Sequence, residues 1–430
     1  MKKKLIFLFT IISPLLNAQN ILTPEDAVNI GLKNNFDILV AKNTAAADSI
    51  QNTIGEAGML PNVSLNGSVN VNRSNIHQKY TNGSDITANN VGSNSFAPSV
   101  GLTWTIFDGT KMFVSKEKYD QIQQFGDYQF RAQVLNTTSD ILLGYYQIVM
   151  QKEEISSTDE IIKYNKKRVE ITQAQYDAGE GSKTDLLQAE IDLNVEQENR
   201  INVELALDDA KRNLNSLLAR DVNSTYEVMD SIPQGTFTDR TQLEQKMIAA
   251  NPALLAFKTQ TEIAQLSLRE TTSQYLPKIS LTGGYNFSHS ENTAGFSLLN
   301  QSYGWNSGLT FSMPLYSSGN IKVQAETARI NILTSQDQFQ QASLNASLSL
   351  QNAFAIYDAQ NKALEIEMQN EKMARESIQI ALDQLQYGKG TALEVAQAQS
   401  TLAASLLRYD NLSYEVKSAE INVHLQAADL

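Results

Sequence analysis

Two spacings of hydrophobic and polar positions alternate along this chain. Residues 24–58 place apolar side chains at helical intervals, with Thr23 before the run and Glu25 and Asp26 in its first turn. At Asn62 the period drops to two: Val63, Leu65, Gly67, Val69 and Val71 alternate with Asn62, Ser64, Asn66, Ser68, Asn70 and Asn72. That alternation predicts a strand at about 61–72, longer than a usual globular strand. Residues 73–98 are rich in Asn and Ser and read as a loop. A second strand follows at 99–107, where Val100, Leu102, Trp104 and Ile106 oppose Ser99, Gly101, Thr103 and Thr105.

The helical period then returns and persists. Between Gly109 and residue 178 there is no proline and only Gly126 and Gly144 interrupt. At about 1.5 Å per residue such a helix is on the order of 100 Å long, which no compact domain requires. After a turn around Gly179 the pattern resumes from Thr184 to about 220, completing a helical hairpin over 110–220.

The second half repeats the first. Asn251-Pro252 answers Asn35-Phe36, and Leu276-Pro277 answers Leu60-Pro61. Strands are predicted at 278–288 and 305–315, separated by a loop near 289–304, and a second long hairpin at 319–426. Its last helix carries Val395, Ala398, Leu402, Ser405, Tyr409 and Leu412 at alternating three- and four-residue spacing, a coiled-coil seam with one polar slot. The chain therefore divides into tandem structural repeats, 19–239 and 240–430. Each repeat turns its hairpin on a similar motif. In YDAGEGSKTDLLQAE and LQYGKGTALEVAQAQ, Gly179 matches Gly388, Gly181 matches Gly390, Asp185 matches Glu394 and Ala189 matches Ala398.

Composition narrows the setting. Residues 1–18 combine Lys2, Lys3 and Lys4 with an apolar run from Leu5 to Leu16, the pattern of a cleaved secretory signal peptide. The chain has 47 acidic against 34 basic residues, which argues against a nucleic-acid partner. It has no cysteine, so neither disulfides nor a lipid-bearing cysteine are expected. Past residue 18 no apolar run is long enough for a transmembrane helix, leaving a soluble exported protein or one built on membrane strands.

The strands favour a membrane. One face is apolar and the other almost purely Asn, Ser, Thr and Gly, as in a barrel wall between lipid and water, although a β-sandwich also alternates. Both tryptophans, Trp104 and Trp305, fall in the return strands, where interface aromatics are expected, with Phe107 and Tyr316 close to the strand ends. Four strands cannot close a barrel, so the chain must oligomerise. Two copies give eight strands and a filled interior; three give twelve and a conduit, continued by long helices as a periplasmic tube.

In this order, LTPEDAVNIGLKNN, the paired LPNVSLNGS and LPKISLTGG, the paired GLTWTIFDG and GLTFSMPLYSSG, and the two turn motifs give a chain that resembles the TolC family of trimeric outer-membrane efflux and secretion ducts. The resemblance implies a membrane α+β fold: a homotrimer with a twelve-stranded barrel on a twelve-helix tunnel. It implies a location in the bacterial outer membrane, in contact with lipid. It also implies a periplasmic adaptor (membrane fusion) protein and an inner-membrane transporter as partners.

Carried over by residue, the resemblance places Glu394 on the pore-facing side of the inner hairpin as a ring of three carboxylates, with Asp185 its counterpart. The family's second acid is replaced by Gln397, and its basic residue two positions after the glycine matched by Gly388 is replaced by Gly390, with Lys389 one position away. The hairpin tips at Gly179, Gly181, Gly388, Lys389 and Gly390 are the implied adaptor contact. An acid at Glu394 also suits the first turn of a helix without any gate.

Other chemistry is thin. Gly179-Glu-Gly-Ser-Lys-Thr lacks the phosphate-loop order and follows a helix. His77, His289 and His424 are isolated, and no nucleophile stands with a base, so no enzyme, cofactor or metal site is expected. The competing reading is an exported coiled-coil structural or adhesive protein without a conduit.

Overall fold

The computed structural model describes residues 21–235, 237, 239–295 and 297–430; the predicted signal peptide lies outside them. The elements are α1 (Pro24–Asn34), α2 (Phe36–Gln51), β1 (Asn62–Lys79), β2 (Asp85–Asp108), α3 (Lys111–Asp177), α4 (Lys183–Leu217), α5 (Arg240–Ala250), α6 (Pro252–Thr272), β3 (Lys278–Asn292), β4 (Leu299–Ser312), α7 (Asn320–Gln386) and α8 (Ala392–Gln426). The repeat is visible in the helix lengths: α3 and α7 each have 67 residues, α4 and α8 each 35.

The continuous helix expected over 24–58 is broken at Asn35. Its Oδ1 accepts the backbone N–H of Asp37 at 2.9 Å and of Ile38 at 3.2 Å, so it caps α2, while its Nδ2 donates to Leu217 O at 2.8 Å. Asn251, the matching residue of the second repeat, donates from Nδ2 to Gln426 O at 3.2 Å. In both repeats one asparagine ends a short helix and ties it to the last turn of the long hairpin.

The chain forms two compact units. One gathers the described residues up to Lys42 with Phe130–Pro252 and Leu344–Leu430; the other holds Asn43–Gln129 and Ala253–Ser343. Each unit draws on both repeats, because α3 and α7 run through the division. The first unit has a core of Ile141, Tyr145 and Ile148 with Leu214 and Leu218, and a second of Met247, Leu350, Phe354 and Val416. A third joins Ile378, Leu382, Val395 and Leu402 to Ile161 and Ile171.

The second unit contains one antiparallel sheet, ordered β1-β2-β3-β4. The strands are longer than the sequence predicts, and most of the stretch expected to be a loop at 73–98 is strand. There β1 and β2 continue through a bulge between Ser74 and Ile76, where Asn90 takes φ 56° and donates to Asn75 Oδ1 at 2.8 Å. The bulge breaks the alternation that marks a strand in sequence. Likewise β3 extends to Asn292 and β4 begins at Leu299, shortening the loop expected at 289–304.

Register fixes the faces. The level Leu65–Val100–Tyr285–Trp305 is apolar, and its neighbour Ser64–Gly101–Gly284–Asn306 is polar. A second bulge, between Thr105 and Phe107, sets Phe107 opposite Ile279 on the apolar side. Every residue of β4 and nearly every residue of β1 is exposed. Among the described residues these outer strands have no neighbour on their free edges.

Candidate functional site

The two hairpin turns are built alike. After α3, Glu180 N and Gly181 N both donate to Gln175 O, at 2.8 and 2.9 Å; after α7, Lys389 N and Gly390 N both donate to Gln384 O, at 2.8 and 3.1 Å. The first glycine of each pair supplies the left-handed residue of this helix stop, Gly179 at φ 76° and Gly388 at φ 66°. The second permits close approach: a Cβ on Gly181 would stand 3.0 Å from Gln175 Cβ, and one on Gly390 3.0 Å from Gln384 Cβ and 3.3 Å from Glu394 Oε2. A long basic side chain at Gly390 would therefore begin against the helix end it follows. Lys389 is exposed beside it.

The acids part company here. Ser182 caps α4 by accepting Asp185 N at 3.1 Å, and no hydrogen bond to the Asp185 carboxylate is formed among the described residues. Glu394 instead closes a capping box: Oε2 accepts Thr391 N at 2.7 Å and Thr391 Oγ1 accepts Glu394 N at 3.2 Å. Asp185 borders a cleft of about 560 Å³ between α3, α4 and α8, with Asp192 and Glu196 on its α4 side; Glu394 is not among the lining residues. Gln397 is exposed, and its carbonyl accepts Thr401 Oγ1 at 2.9 Å.

Against this cleft lies a residue the sequence reading missed. Arg168 is 2 % exposed, and its Nη1 donates to Asp192 Oδ2 at 2.6 Å and to Gln399 Oε1 at 3.2 Å, linking α3 to α4 and α8. Its Nε and Gln399 Nε2 are buried with no hydrogen-bond partner among the described residues. Burial raises the Glu196 carboxyl above its ordinary pKa. The signal for Arg168 was its phase: Ile161, Asn165, Arg168 and Thr172 recur at four-, three- and four-residue steps, and all are buried. Lys166 and Lys167 beside it disguise that phase as a charged surface.

The polar slot in the α8 seam is occupied by a network. Ser405 Oγ donates to Glu367 Oε1 at 2.5 Å, and Arg408 reaches the same carboxylate at 3.1 Å. One face farther round, Asp410 is 4 % exposed and accepts Ser157 Oγ at 2.8 Å. Burial first, then the neighbouring Glu154 and Glu371, pushes its carboxyl up to about 6. Burial and Asp410 push Glu153 up to about 7, and Glu153 Oε2 is buried without a hydrogen-bond partner among the described residues.

On the sheet the two tryptophans, both in return strands, do not share a level. Trp104 pairs with Leu281 near the helical ends of the strands, is 38 % exposed and donates from Nε1 to Met59 O at 2.9 Å. Trp305 pairs with Tyr285 in mid-strand and is 79 % exposed. The two levels differ by four residues of β3, roughly 13 Å at the usual strand rise. Phe107 faces Ile279 at the helical end, and Tyr316 follows β4 there, 87 % exposed.

No helix among the described residues is long and apolar enough to cross a membrane, and no group of three or more His, Asp or Glu there could hold a metal. Comparison with known proteins agrees with the architecture. The model of the outer membrane efflux protein family matches residues 28–220 and 243–427. The outer membrane protein TolC of Escherichia coli is 23% identical, with 78% of this chain and 70% of that protein covered. The alkaline protease secretion protein AprF of Pseudomonas aeruginosa is 22% identical over 95% of this chain and 87% of its own. Among solved structures, the outer-membrane channel OprN superposes with a TM-score of 0.79 at 15% identity, covering 95% of this chain and 90% of that one.

Proposed function

The chain belongs to the outer membrane efflux protein family, and from that premise we propose that it is the outer-membrane duct of a tripartite efflux or type I secretion system. It conducts substrate passively, receiving it from an inner-membrane transporter through a periplasmic adaptor. The sheet carries this reading. Four strands with an exposed apolar face and two free edges are not a finished structure in water or in lipid. Pairing β4 of one copy with β1 of the next removes the edges, and three copies give twelve strands, enough to close around a bore.

In this assembly the apolar face meets lipid and the Asn/Ser/Thr/Gly face meets water. The hairpins α3/α4 and α7/α8 form the periplasmic tunnel. Their tips, Gly179, Gly181, Gly388, Lys389 and Gly390, meet the adaptor. Asp185 and Glu394 supply the charge at the constriction, with Gln397 a neutral member. The family name carries efflux and one relative's name carries protease secretion; the duct serves either, and the transporter selects.

The test is assembly and conduction together. The protein, fractionated with outer membranes, should migrate as a heat-modifiable trimer and conduct in planar bilayers. A purely structural or adhesive protein would sediment with the envelope yet give no conductance at any voltage, and that result would overturn the proposal.

A further inference from the structure

The distribution of charge on the four strands is uneven in a way that bears on what the duct admits. The ionisable side chains Arg73, His77, Lys79, Asp85, His289 and Glu291 sit toward one end of the sheet, and Asp108 and Lys278 at the other. Between those ends the polar face reads Asn62, Ser64, Asn66, Ser68, Asn70 and Asn72 on β1, paired with Thr103, Gly101, Ser99, Ala97, Ser95 and Ser93 on β2. The pairing continues across β3 and β4 with Thr282–Gly308, Gly284–Asn306, Asn286–Gly304, Ser288–Ser302 and Ser290–Asn300. No Asp, Glu, Lys, Arg or His stands on that stretch of the face.

Several of these groups bond to one another across strands. Asn70 Nδ2 donates to Ser95 Oγ at 3.3 Å, Asn286 Nδ2 to Asn306 Oδ1 at 2.7 Å, and Thr282 Oγ1 to Gly308 O at 3.3 Å.

Range decides whether the end charges matter in the middle. Asn286 is eight residues from Lys278 and five from Glu291, or roughly 27 and 17 Å at the usual strand rise. The screening length at physiological salt is about 8 Å. At the outer end the Asp85 carboxylate is also partly offset in place by Lys79, whose Nζ lies 3.6 Å away.

We infer that the middle stretch of the strand-lined part of the duct does not discriminate by charge: cationic, anionic and mixed-charge solutes meet the same wall of amides and hydroxyls there. Whatever ion preference the whole duct has is then imposed outside that stretch. This inference rests on the duct reading, and the experiment separates the two.

Because the chain has no cysteine, a single Ser68→Cys, Asn286→Cys or Asn306→Cys supplies the only thiol. Assembled protein is treated at physiological salt from the outer side with two thiosulfonate reagents, one bearing trimethylammonium and one sulfonate. Leu65→Cys and Leu281→Cys on the opposite face serve as controls. The polar-face thiols should react and the controls should not. The ratio of cationic to anionic rates at each polar-face position should match that of a free small-molecule thiol within about threefold, because a wall of one sign would raise the local reagent concentration about tenfold or more. A ratio displaced tenfold with the polar face still reactive overturns the charge-neutral bore alone. Unreactive polar-face thiols, or equal reaction on both faces, overturn the duct reading and this inference with it.

Discussion

Arg168 Nη1 and Asp192 Oδ2 lie 2.6 Å apart, and the arginine side chain is 2 % exposed while the aspartate is 33 % exposed. A full charge on α3 is thus kept inside the helical unit by one carboxylate on α4. Removing the partner strands that charge. Asp192→Ala should destabilise by about 2 kcal/mol, below the usual cost of breaking a buried pair because the carboxylate is part-solvated. Arg168→Met, which removes the charge and keeps most of the volume, should cost less. Thermal unfolding followed by helical circular dichroism ranks the two; the reverse order would mean that Arg168 serves by packing.

Glu394 holds its own helix start, so its charge and its cap are separable. Gln at this position preserves the box, whereas Ala removes it at about 1 kcal/mol. Amide exchange in the first turn of α8 should quicken in Glu394→Ala and stay unchanged in Glu394→Gln. In bilayers both Glu394→Gln and Asp185→Asn should reduce cation preference, since a ring of like carboxylates attracts cations. A wild-type reversal potential in both variants would remove these acids from the constriction.

Asp410 and Glu153 give the helical unit a pH dependence of known sign. Their carboxyls, pushed up to about 6 and about 7 by burial, bind protons more tightly folded than unfolded. The stability this contributes is complete below the ordinary carboxylate range, near pH 4, and is lost as pH rises through 6 and 7. Between pH 8 and pH 5.5 the melting temperature of the helical unit should rise, and Asp410→Asn should flatten that slope. An unchanged slope in Asp410→Asn would assign the effect elsewhere.

Gly109 and Gly319 occupy matching junctions between strand and long helix, at φ 73° and 74°. Their surroundings differ. A Cβ on Gly109 would stand 2.4 Å from Ser273 O and 2.5 Å from Leu276 Cβ, while one on Gly319 meets nothing within 4 Å among the described residues. Gly319→Ala should cost only the left-handed backbone, about 1 kcal/mol. Gly109→Ala should be far more damaging, because backbone blocks it. The yield of heat-modifiable oligomer compares them.

The two sheet faces should differ in their tolerance of charge. Trp305→Lys places a cation on the apolar face in mid-strand, at about 2–4 kcal/mol if that face meets lipid. Asn306→Lys, one residue on, points to the other face and should assemble normally. Equal assembly of the two would contradict the lipid-facing assignment.

Much of this fold could be read from the chain because its periods are long and clean. Val63 to Val71 and Ile279 to Phe287 alternate without error, and their faces are those of the sheet. The turn glycines repeat because two backbone N–H groups must reach one carbonyl in each hairpin. What escaped notice follows from local chemistry. Asn90 and the bulge at Asn75 break the alternation within 73–98, and Asn35 splits a helix by bonding to Leu217, 182 residues away. Arg168 sits on a buried stripe but carries a charge, and burial of a charge depends on Asp192 and Gln399, which periodicity does not identify.

The free edges of β1 and β4 also bear on the life of the chain before it finds its partners. A lone protomer presents two unpaired strands and an apolar sheet face, the combination that templates aggregation. In the proposed trimer, closure therefore competes with aggregation, and a copy is protected only once its edges are matched by other copies. Substitutions that leave the finished duct sound yet slow its closure will be felt by the cell as envelope stress rather than as lost transport.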